Sequence, residues 1–487
     1  MIVLREIVYK VSIEAVKGST DIAINAIDFD SRKIGSNDLF IAIRGTQSNG
    51  HDFINKAIQQ GATAVVCDTF PAEIAEGITY IQVKDTNKAL AFIAANFYGN
   101  PSHSLKLVGI TGTNGKTTIA SLLYQLFQKA GHKVGLLSTV KIMVADTEYK
   151  ATHTTPDSIT INKYLREMVD NGVTHCFMEV SSHGIHQQRT EALQFEGGVF
   201  TNLSHDHLDY HPTFSEYRDV KKSFFDHLPK SAFALVNIDD KNGTVMLQNT
   251  TARKLTYALK SYANYRAQIL ESQMSGLLMK INENEVWVRL IGTFNAYNLL
   301  AIYGTAVELG LDSFDVLRLL SELESVSGRF QYIVSNEKIT AIVDYAHTPD
   351  ALENVLKTIN DIRTKNEQLI TIVGCGGDRD KTKRPMMANI ATTLSDKVII
   401  TSDNPRTEDP ETIITEMEKG VEPQNFKKAV SITDRKQAIK TACQLAQPND
   451  IILIAGKGHE TYQEINGVRH DFDDMQIVKE LLIQLGK

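Results

Sequence analysis

The chain has 487 residues, of which 42% are hydrophobic and 22% are charged, a composition typical of a soluble globular protein. At about 150 residues per domain, this length predicts three domains. The net charge of -7 gives no basic surface for nucleic acid, and no apolar run approaches the ~20 residues of a membrane span. The N-terminal segment lacks the apolar region of a signal peptide.

The cysteine pattern bears on the cellular compartment. Four cysteines lie far apart in the chain and form no metal-binding or disulfide spacing. Such thiols persist in a reducing environment. We therefore expect a cytoplasmic protein that binds neither nucleic acid nor membrane.

Residues 1–102 predict a small N-terminal α/β domain. Residues 38–43 and 63–68 have the apolar character of short strands, and residues 51–62 between them have helical spacing. A second helix begins near residue 87 and ends at Gly99-Asn100-Pro101, because glycine and proline stop helices. This stop places a domain boundary near residue 102.

The central segment, residues 103–329, opens on a phosphate-binding pattern. Residues 107–110 predict a buried strand, and a turn and an amphipathic helix follow. A helix N-terminus behind such a turn binds anions. Lys116 would then reach the β- and γ-phosphates of ATP, and the Thr117 hydroxyl would ligate Mg²⁺. The alternative is an ordinary strand–turn–helix unit with an exposed lysine, since the usual template has glycine where this chain has Ile110.

Other polar groups follow the predicted strands of this segment. Glu179 ends an apolar run, where its carboxylate either meets a metal at the phosphate loop or is simply solvated. Residues 205–211 contain three histidines and two aspartates. They favour one histidine in a Mg²⁺ shell over a zinc site, because cysteine and a helical H-E-x-x-H are missing. Lys221 and Lys222 lie on a predicted helix, where the simplest interpretation is a solvated basic face.

Two further features lie near the second predicted boundary. Asn295 and Asn298 are one helical turn apart, so they either face one ligand or cap their helix. Arg329 stands at the boundary itself, where a guanidinium can bridge phosphates across two domains. Beyond it, Asp344 ends a strand and Pro349 begins a helix.

Residues 330–487 predict a doubly wound, Rossmann-like domain. Apolar runs at 339–347, 369–377, 396–403 and 450–458 predict strands, each followed by a helical stretch. The central segment predicts a largely parallel sheet for the same reason. The fold class is therefore α/β, with a small N-terminal domain, a central P-loop-type parallel-sheet ATPase domain and a C-terminal doubly wound domain.

Five motifs together resemble the Mur ligase family, whose members form amide bonds with ATP during synthesis of peptidoglycan precursors. They are T-G-T-N-G-K-T at 111–117, E-V-S-S-H at 179–183, D-H-L-D at 206–209, G-R-F at 328–330 and D-Y-A-H-T-P-D at 344–350. The resemblance covers nearly the whole chain. It also explains why position 110 is isoleucine and not the glycine of the usual template, since the family's loop is T-G-T-N-G-K-[ST].

Shorter segments narrow the resemblance to the members that add the third residue of the stem peptide. These segments are D-S-R-K at 30–33, G-G-D-R-D-K-T-K-R-P at 376–385, D-N-P-R at 403–406 and G-K-G-H-E at 456–460. Such members join a diamino acid to the D-glutamate γ-carboxylate of UDP-N-acetylmuramoyl-L-alanyl-D-glutamate. The implied reaction passes through an acyl phosphate and releases ADP and phosphate. The implied partners are these small molecules, and the implied state is a monomer.

The resemblance also implies roles for individual residues. The implied catalytic residues are Lys116, Glu179, His207 and Lys221, and the implied Mg²⁺ ligands are Thr117, Glu179, His207 and Lys221, the last carbamylated. ATP would contact Gly112, Thr113, Asn114, Gly115, Lys116, Thr117, Thr118, Asn295, Arg329 and Asp344. The UDP-sugar peptide would contact Phe29, Ser31, Thr46, Gln47, Ser48, Thr154, Thr155, Ser181, Gln187 and Arg189. The amino acid would contact Arg379, Asp403, Asn404, Pro405, Arg406, Gly456 and Glu460.

Arg406 bears on which amino acid is added. Ligands of open α/β sheets bind at the C-terminal ends of strands, and Pro405 fixes the turn that carries Arg406. A guanidinium pairs with a carboxylate through two parallel hydrogen bonds. This favours meso-diaminopimelate over L-lysine, whose distal ammonium Arg406 would repel. The alternative is a solvated arginine paired with Glu408 or Asp409.

Three other functions are weighed against this one. The first is the same ligase adding L-lysine. The second is a folylpolyglutamate-type or D-alanyl-D-alanine-adding ligase, which D-N-P-R and the N-terminal D-S-R disfavour. The third is a non-catalytic nucleotide-binding scaffold of the cell-wall machinery, which loss of Lys116, Glu179 or Lys221 would favour. All three residues are present.

Overall fold

The computed structural model describes residues 1–45, 48–206 and 210–487. Within them, the strands form a five-stranded, an eleven-stranded and a six-stranded sheet, with two small two-stranded pairs. The three large sheets follow one another along the chain, and apolar clusters pack on both faces of each. The three-domain α/β class is confirmed, while the exact domain limits remain predictions.

The N-terminal part builds its sheet in the order β2-β7-β6-β5-β4, antiparallel only between β2 and β7. Its strands are β1 Ile2–Val3, β2 Ile13–Lys17, β3 Ala23–Ile24, β4 Ile27–Asp28, β5 Asp38–Ile41, β6 Ala62–Cys67 and β7 Thr79–Val83. Its helices are α1 Leu4–Ile7, α2 Ile54–Gln60 and α3 Thr86–Phe97, with 3₁₀ turns at Ser31–Lys33, Gly50–Phe53 and Pro101–Ser104. The predicted helix stop is confirmed, because α3 ends just before Gly99 and Asn100, which both have positive φ.

The central part contains the largest sheet. Its strands are β8 Lys106–Thr111, β9 Val134–Leu137, β10 Lys141–Val144, β11 Thr147–Lys150, β12 His175–Glu179, β13 Gly197–Phe200, β14 Phe233–Asn237, β15 Arg253–Ala258, β16 Tyr265–Gln273, β17 Gly276–Ile281 and β18 Asn284–Val288. Its helices are α4 Lys116–Lys129, α5 Ser158–Asp170, α6 Ser182–His186, α7 Phe214–Asp226, α8 Gly243–Met246, α9 Thr293–Glu308 and α10 Ser313–Ser321.

The middle of this sheet is parallel, in the order β9-β12-β8-β13-β14-β15-β16. Helices α4 and α9 cover one face, and α5 and α7 cover the other. The prediction of strand–helix alternation up to Arg329 is wrong at the far edge, where β16, β17 and β18 form an antiparallel meander. The two-residue turn at Asn282-Glu283, with both φ values positive, allows antiparallel pairing without a crossover helix.

The C-terminal part has the sheet order β19-β20-β24-β21-β22-β23, parallel except at β19. Its strands are β19 Gln331–Val334, β20 Thr340–Asp344, β21 Leu369–Val373, β22 Lys397–Ile400, β23 Ala429–Ser431, β24 Ile451–Ala455, β25 Tyr462–Ile465 and β26 Val468–Asp471. Its helices are α11 Pro349–Ile362, α12 Lys383–Leu394, α13 Pro410–Glu418, α14 Arg435–Leu445 and α15 Asp474–Gln484, with a 3₁₀ turn at Pro423–Lys428.

Helices on both faces make this part doubly wound, as predicted. Helices α11, α12 and α13 cover one face, and α14 and α15 cover the other. One expectation is wrong: a β-hairpin, β25 and β26, stands between β24 and its helix. No helix in the described ranges is both long and apolar enough to cross a membrane.

Candidate active site at the phosphate loop

The loop between β8 and α4 has the backbone of an anion cradle. Gly112 and Gly115 have φ values of 148° and 89°. A Cβ on Gly112 would stand 1.9 Å from Thr201 Oγ1, and one on Gly115 would stand 2.6 Å from Asn298 Oδ1, so only glycine fits either position. Ile110 lies inside β8 with its side chain fully buried, so this residue belongs to the core strand and not to the loop.

Two side chains that follow β13 fasten this loop. Thr201 Oγ1 donates to the Asn114 carbonyl at 2.6 Å, and the Asn202 side-chain oxygen accepts from the Asn114 N–H at 3.0 Å. The Thr113 N–H donates to the Asn202 carbonyl at 2.8 Å. Thr201 and Asn202 were not predicted from the sequence, although polar residues at the C-terminal end of a parallel strand are a usable signal.

Two lysines converge on one carbonyl of the loop. Lys116 Nζ and Lys221 Nζ each donate to the Gly112 carbonyl at 2.9 Å, and Lys116 also donates to the Thr113 carbonyl at 2.7 Å. Burial lowers the pKa of Lys116. Burial and the Lys116 charge together hold the pKa of Lys221 well below its usual value. The alternative of an exposed lysine at 116 is wrong, because this side chain is partly buried and turned into the loop.

Helix α7 separates its two adjacent lysines. Lys221 is only 1% exposed and lies over the Tyr217 ring, with Nζ 4.8 Å from the ring centroid. Lys222 instead pairs with Asp226 on the same helix, with Nζ 2.7 Å from Oδ2. The expectation of a solvated basic face is therefore wrong. Of these two lysines, the structure brings Lys221 to the phosphate loop.

Glu179 lies directly behind the phosphate loop. Its side chain is fully buried, so the solvated alternative is wrong. Glu179 Oε2 accepts from the Thr117 hydroxyl at 2.9 Å, and Oε1 accepts from the Thr139 N–H at 2.7 Å. Hydroxyl and carboxylate oxygens are the donors that hard cations prefer. This donor set fits Mg²⁺, although the described residues contain no preformed group of three or more acidic, histidine or cysteine ligands.

Arg329 enters the same site from the segment that leads into the C-terminal domain. Its Nη2 donates to the Thr117 hydroxyl at 3.1 Å, and its guanidinium carbon lies 4.4 Å from the centroid of the Tyr345 ring. Its Nε is buried and has no hydrogen-bond partner among the described residues. A buried N–H without a partner is costly, so this guanidinium is suited to an anionic ligand.

Asp344 and Asn295 occupy supporting positions. Asp344 accepts from the Phe330 N–H at 2.6 Å, and burial raises its pKa to about 6 against the opposing charge of Arg329. Asn295 donates to the Ile291 carbonyl at 2.8 Å and accepts from Asn298 at 3.1 Å. The capping alternative for Asn295 is wrong, because the residue before α9 is Gly292.

A cavity of about 620 Å³ lies between the central and C-terminal domains. The phosphate loop, Glu179 and Lys221 line one wall, and Arg329, Tyr345 and Asp350 line the other. Asn114 Nδ2 donates to Asp350 Oδ2 at 2.8 Å and so links the two domains across the cavity. Asn298 also lines the cavity, as do Asp239 and Tyr297, two residues that the sequence analysis missed.

The predicted UDP-sugar residues of the central domain form one cluster. The Thr155 hydroxyl donates to the Glu179 carbonyl and accepts from the Ser181 N–H, both at 2.9 Å. Arg189 Nη1 donates to the Thr155 carbonyl at 2.5 Å, and Arg189 Nη2 donates to the Gln187 side-chain oxygen at 2.7 Å. Thr154 and Ser181 also line the cavity, so this cluster is continuous with the phosphate loop.

The remaining UDP-sugar residues lie in the N-terminal domain. Phe29 packs against the core of that domain, and Ile159 of α5 in the central domain packs against the same core. Ser31 is buried at the start of a 3₁₀ turn, and Ser48 is exposed. Thr46 and Gln47, predicted to contact the UDP-sugar peptide, and His207, predicted to be catalytic, fall outside the described residues.

The predicted amino-acid residues gather at the C-terminal ends of β22 and β24. Asn404 Nδ2 donates to Glu460 Oε2 at 2.7 Å. Lys457, fully buried, donates to Asn404 Oδ1 at 3.0 Å and to Glu460 Oε2 at 3.2 Å. Burial and the Asp403 carboxylate raise the pKa of Glu460, and Lys457 opposes them. A Cβ on Gly456 would stand 2.6 Å from Asp403 Oδ2, so this glycine allows the carboxylate to approach.

Arg406 is held in an unusual backbone conformation. Its φ is 51°, a region that residues other than glycine rarely adopt. Its Nη1 donates to the Gly377 carbonyl at 2.6 Å. Glu408 pairs instead with Arg384, and Asp409 caps α13, so the alternative of a solvated Arg406 paired with either acid is wrong. Among the described residues, the Arg406 guanidinium makes no other hydrogen bond, so its remaining N–H groups are available to a ligand.

The loop of Arg379 lies against the same segment. The Gly377 N–H donates to the Asn404 carbonyl at 2.9 Å, and Arg379 itself is exposed. None of the predicted amino-acid residues lines the 620 Å³ cavity. The structure therefore brings these residues together with one another but places them outside the phosphate-loop cavity.

The fold and this site define the class of protein, an enzyme whose phosphate-binding loop lines a cavity between two domains. Three family descriptions match the chain: "Mur ligase family, catalytic domain" over residues 23–98, "Mur ligase middle domain" over 110–306, and "Mur ligase, glutamate ligase domain" over 328–458.

The similar proteins include two that carry the name UDP-N-acetylmuramoyl-L-alanyl-D-glutamate–2,6-diaminopimelate ligase. The one from Cytophaga hutchinsonii is 57% identical over 99% of this chain and 100% of its own length. The one from Bacteroides fragilis is 53% identical over 98% of this chain and 99% of its own length.

The solved structures with a similar fold include the following two. One, titled as the structure of a ligase of the same name, is 34% identical, with a TM-score of 0.71 over 100% of this chain and 99% of its own. The other is the MurF ligase of Thermotoga maritima in complex with ADP, 19% identical, with a TM-score of 0.62 over 94% of this chain and 97% of its own. The chain belongs to the Mur ligase family, and it is therefore an ATP-dependent, amide-forming ligase.

Proposed function

We propose that this chain joins meso-diaminopimelate to the D-glutamate γ-carboxylate of UDP-N-acetylmuramoyl-L-alanyl-D-glutamate, with ATP as the energy source. The observation that carries this assignment is the charge arrangement at the ends of β22 and β24, where Arg406 stands beside the Asn404–Lys457–Glu460 network. The distal end of meso-diaminopimelate carries both a carboxylate and an ammonium. Arg406 would bind the carboxylate bidentately, and Glu460 would accept the ammonium. The names of the similar proteins support the same substrate.

The first half of the reaction uses the phosphate loop. A γ-carboxylate oxygen attacks the γ-phosphorus of ATP, an acyl phosphate forms, and ADP leaves. Positive charge around the phosphates would come from Lys116, the N-terminus of α4 and Arg329. This charge would stabilise the transition state of phosphoryl transfer. The cluster of Thr155, Ser181 and Arg189 would hold the substrate so that its carboxylate faces this point.

The second half joins the amine to the activated carbonyl. The neutral amine of the amino acid attacks the carbonyl carbon, and a tetrahedral intermediate forms. Its collapse expels phosphate, which takes up the proton that the nitrogen loses as the amide forms. The developing oxyanion needs nearby positive charge, and Lys116 and Arg329 supply it at the same cavity.

Mg²⁺ and a carbamylated lysine complete the proposal. Thr117 and Glu179, with His207 and carbamylated Lys221, would hold Mg²⁺, which neutralises phosphate charge when bound. Carbamylation needs a neutral amine, and burial favours the neutral form of Lys221. It would also replace one of two crowded ammonium groups at the Gly112 carbonyl by an anion. We further propose a monomeric, cytoplasmic enzyme, consistent with four free cysteines.

Replacement of Arg406 tests the amino-acid assignment. Loss of one partner of a buried charged pair costs about 2–5 kcal/mol, so Arg406→Ala should reduce kcat/KM for meso-diaminopimelate at least tenfold and leave ATP binding intact. Arg406→Lys keeps the positive charge but lacks the paired donors of a guanidinium. Its kcat/KM for meso-diaminopimelate should therefore lie between those of wild type and Arg406→Ala. Arg318→Ala on α10, an exposed arginine paired with Glu322, serves as the control. A wild-type enzyme that prefers L-lysine to meso-diaminopimelate at equal concentration would defeat the assignment.

Closure of the domains is a second expected result. The amino-acid residues lie outside the phosphate-loop cavity, yet the amine must reach the acyl phosphate that forms there. Interdomain contacts within one chain commonly permit such motion. Small-angle scattering should therefore give a smaller radius of gyration when ATP and the UDP-sugar peptide are bound. An unchanged radius with saturating ligands would contradict closure.

A further inference from the structure

The hairpin of β25 and β26 lies against the segment that carries Arg406. Its two strands are joined by the two-residue turn Asn466-Gly467, with φ values of 50° and 77°. Positive φ at both positions is typical of a type I′ turn, and Asn-Gly is the sequence that favours it. The hairpin is therefore a locally specified element that extends the fold beyond β24.

Backbone hydrogen bonds attach this hairpin to Arg406. The Arg406 N–H donates to the Glu464 carbonyl at 3.1 Å, and the Asn466 N–H donates to the Arg406 carbonyl at 2.7 Å. Both backbone groups of Arg406 are thus bound by the hairpin. A positive φ at a residue other than glycine persists only where the surrounding structure holds it. The hairpin supplies that restraint at Arg406.

Two more hydrogen bonds fix the residues just before Arg406. Gln463 Nε2 donates to the Asp403 carbonyl at 2.7 Å. The Glu464 N–H donates to Asn404 Oδ1 at 2.9 Å, so that Asn404 Nδ2 faces Glu460. Gln463 is a hairpin side chain that binds the Asp403–Arg406 segment directly.

We propose that this hairpin is a specificity-determining clamp, with Gln463 as its positioning side chain. It holds Asp403–Arg406 so that Arg406 and Glu460 stay at the spacing that the distal end of the amino acid requires. Gln463 acts through the backbone of Asp403 and does not itself touch the substrate. The inference rests on the proposed amino-acid site, and it adds an element that the family motifs do not contain.

Two near-isosteric variants test the clamp in the full-length enzyme. Gln463→Met removes the donor and keeps the shape, and Gln463→Glu replaces the donor by an acceptor. Because a buried carbonyl then loses its partner, KM for meso-diaminopimelate should rise about tenfold in both variants. KM for ATP should not change. Val468→Thr, an exposed position on the same hairpin, is the matched control and should behave as wild type.

The outcomes separate the clamp from a general structural role. An unchanged KM for meso-diaminopimelate in both variants would overturn the proposal, as would equal losses for ATP and the amino acid. If both variants are insoluble, Gly467→Ala, which strains the turn at φ 77°, carries the same test. If wild type does not use meso-diaminopimelate, the proposed function fails. The clamp is then judged by the KM of the amino acid that wild type does use.

Discussion

Lys116→Ala is expected to abolish ligation. Its Nζ stands at the mouth of the loop, 2.9 Å and 2.7 Å from the Gly112 and Thr113 carbonyls, where the β- and γ-phosphates would replace those contacts. Removal of one preorganised hydrogen-bond donor to the transition state lowers kcat about 10²–10³-fold. The loss in kcat when a cation beside the transferred phosphoryl group is removed lies at the upper end of that range. ADP release measured with saturating ATP and both other substrates is the readout.

A matched control for Lys116 lies on the same helix. Lys129, in the last turn of α4, makes an exposed ion pair with Glu322 at 3.5 Å. Exposed pairs of this kind contribute little, so Lys129→Ala should retain wild-type turnover and stability. Near-normal turnover of Lys116→Ala at saturating ATP would show that the loop does not work as proposed.

Lys221→Ala is expected to be inactive and to regain part of its activity with a short carboxylic acid. A buried carbamate would supply an oxygen anion next to the phosphate loop, and a small carboxylate can occupy the space left by the truncated side chain. Turnover with and without added acetate or propionate, at fixed ionic strength, measures the effect. Native mass spectrometry of the folded wild-type protein at neutral or alkaline pH, where the carbamate keeps its CO₂, should also detect the mass of one added CO₂.

The neighbouring lysine provides the control for this experiment. Lys222 pairs with Asp226 on α7 and does not line the cavity. Lys222→Ala should therefore keep its activity and show no response to carboxylic acids. If Lys222→Ala responds and Lys221→Ala does not, the modified residue has been assigned to the wrong position.

The sequence alone determined the features that depend on neighbouring residues. The apolar spacing after Lys116 predicted α4, Gly99-Asn100-Pro101 predicted the end of α3, and Pro349 predicted the start of α11. In each case a few adjacent side chains restrict the backbone whatever lies around them. The motifs and their order indicated the family for a related reason, because each motif is a run of adjacent residues that can be recognised without knowing the fold.

Tertiary structure decided which side chains meet and which are buried. Lys221 and Lys222 are equivalent by local pattern, and only the packing of α7 against the phosphate loop sends one of them to Gly112. By local pattern, Glu179 is either solvated or a metal ligand. In the structure it ends β12, and its buried carboxylate accepts a hydrogen bond from Thr117. Burial and charge at such positions depend on residues far away in the chain, so local patterns do not contain them.

The antiparallel hairpin of β25 and β26 shows that the fold, too, depends on contacts between residues far apart in the chain. Asn466-Gly467 is a strong local signal for a hairpin, yet its contact with Arg406 joins residues about sixty positions apart. That contact holds Arg406 at a positive φ, which an arginine does not favour by itself. The local signal for this hairpin was therefore present but not used, since a helix was predicted after β24, and only long-range packing decided that the hairpin lies against the predicted amino-acid site.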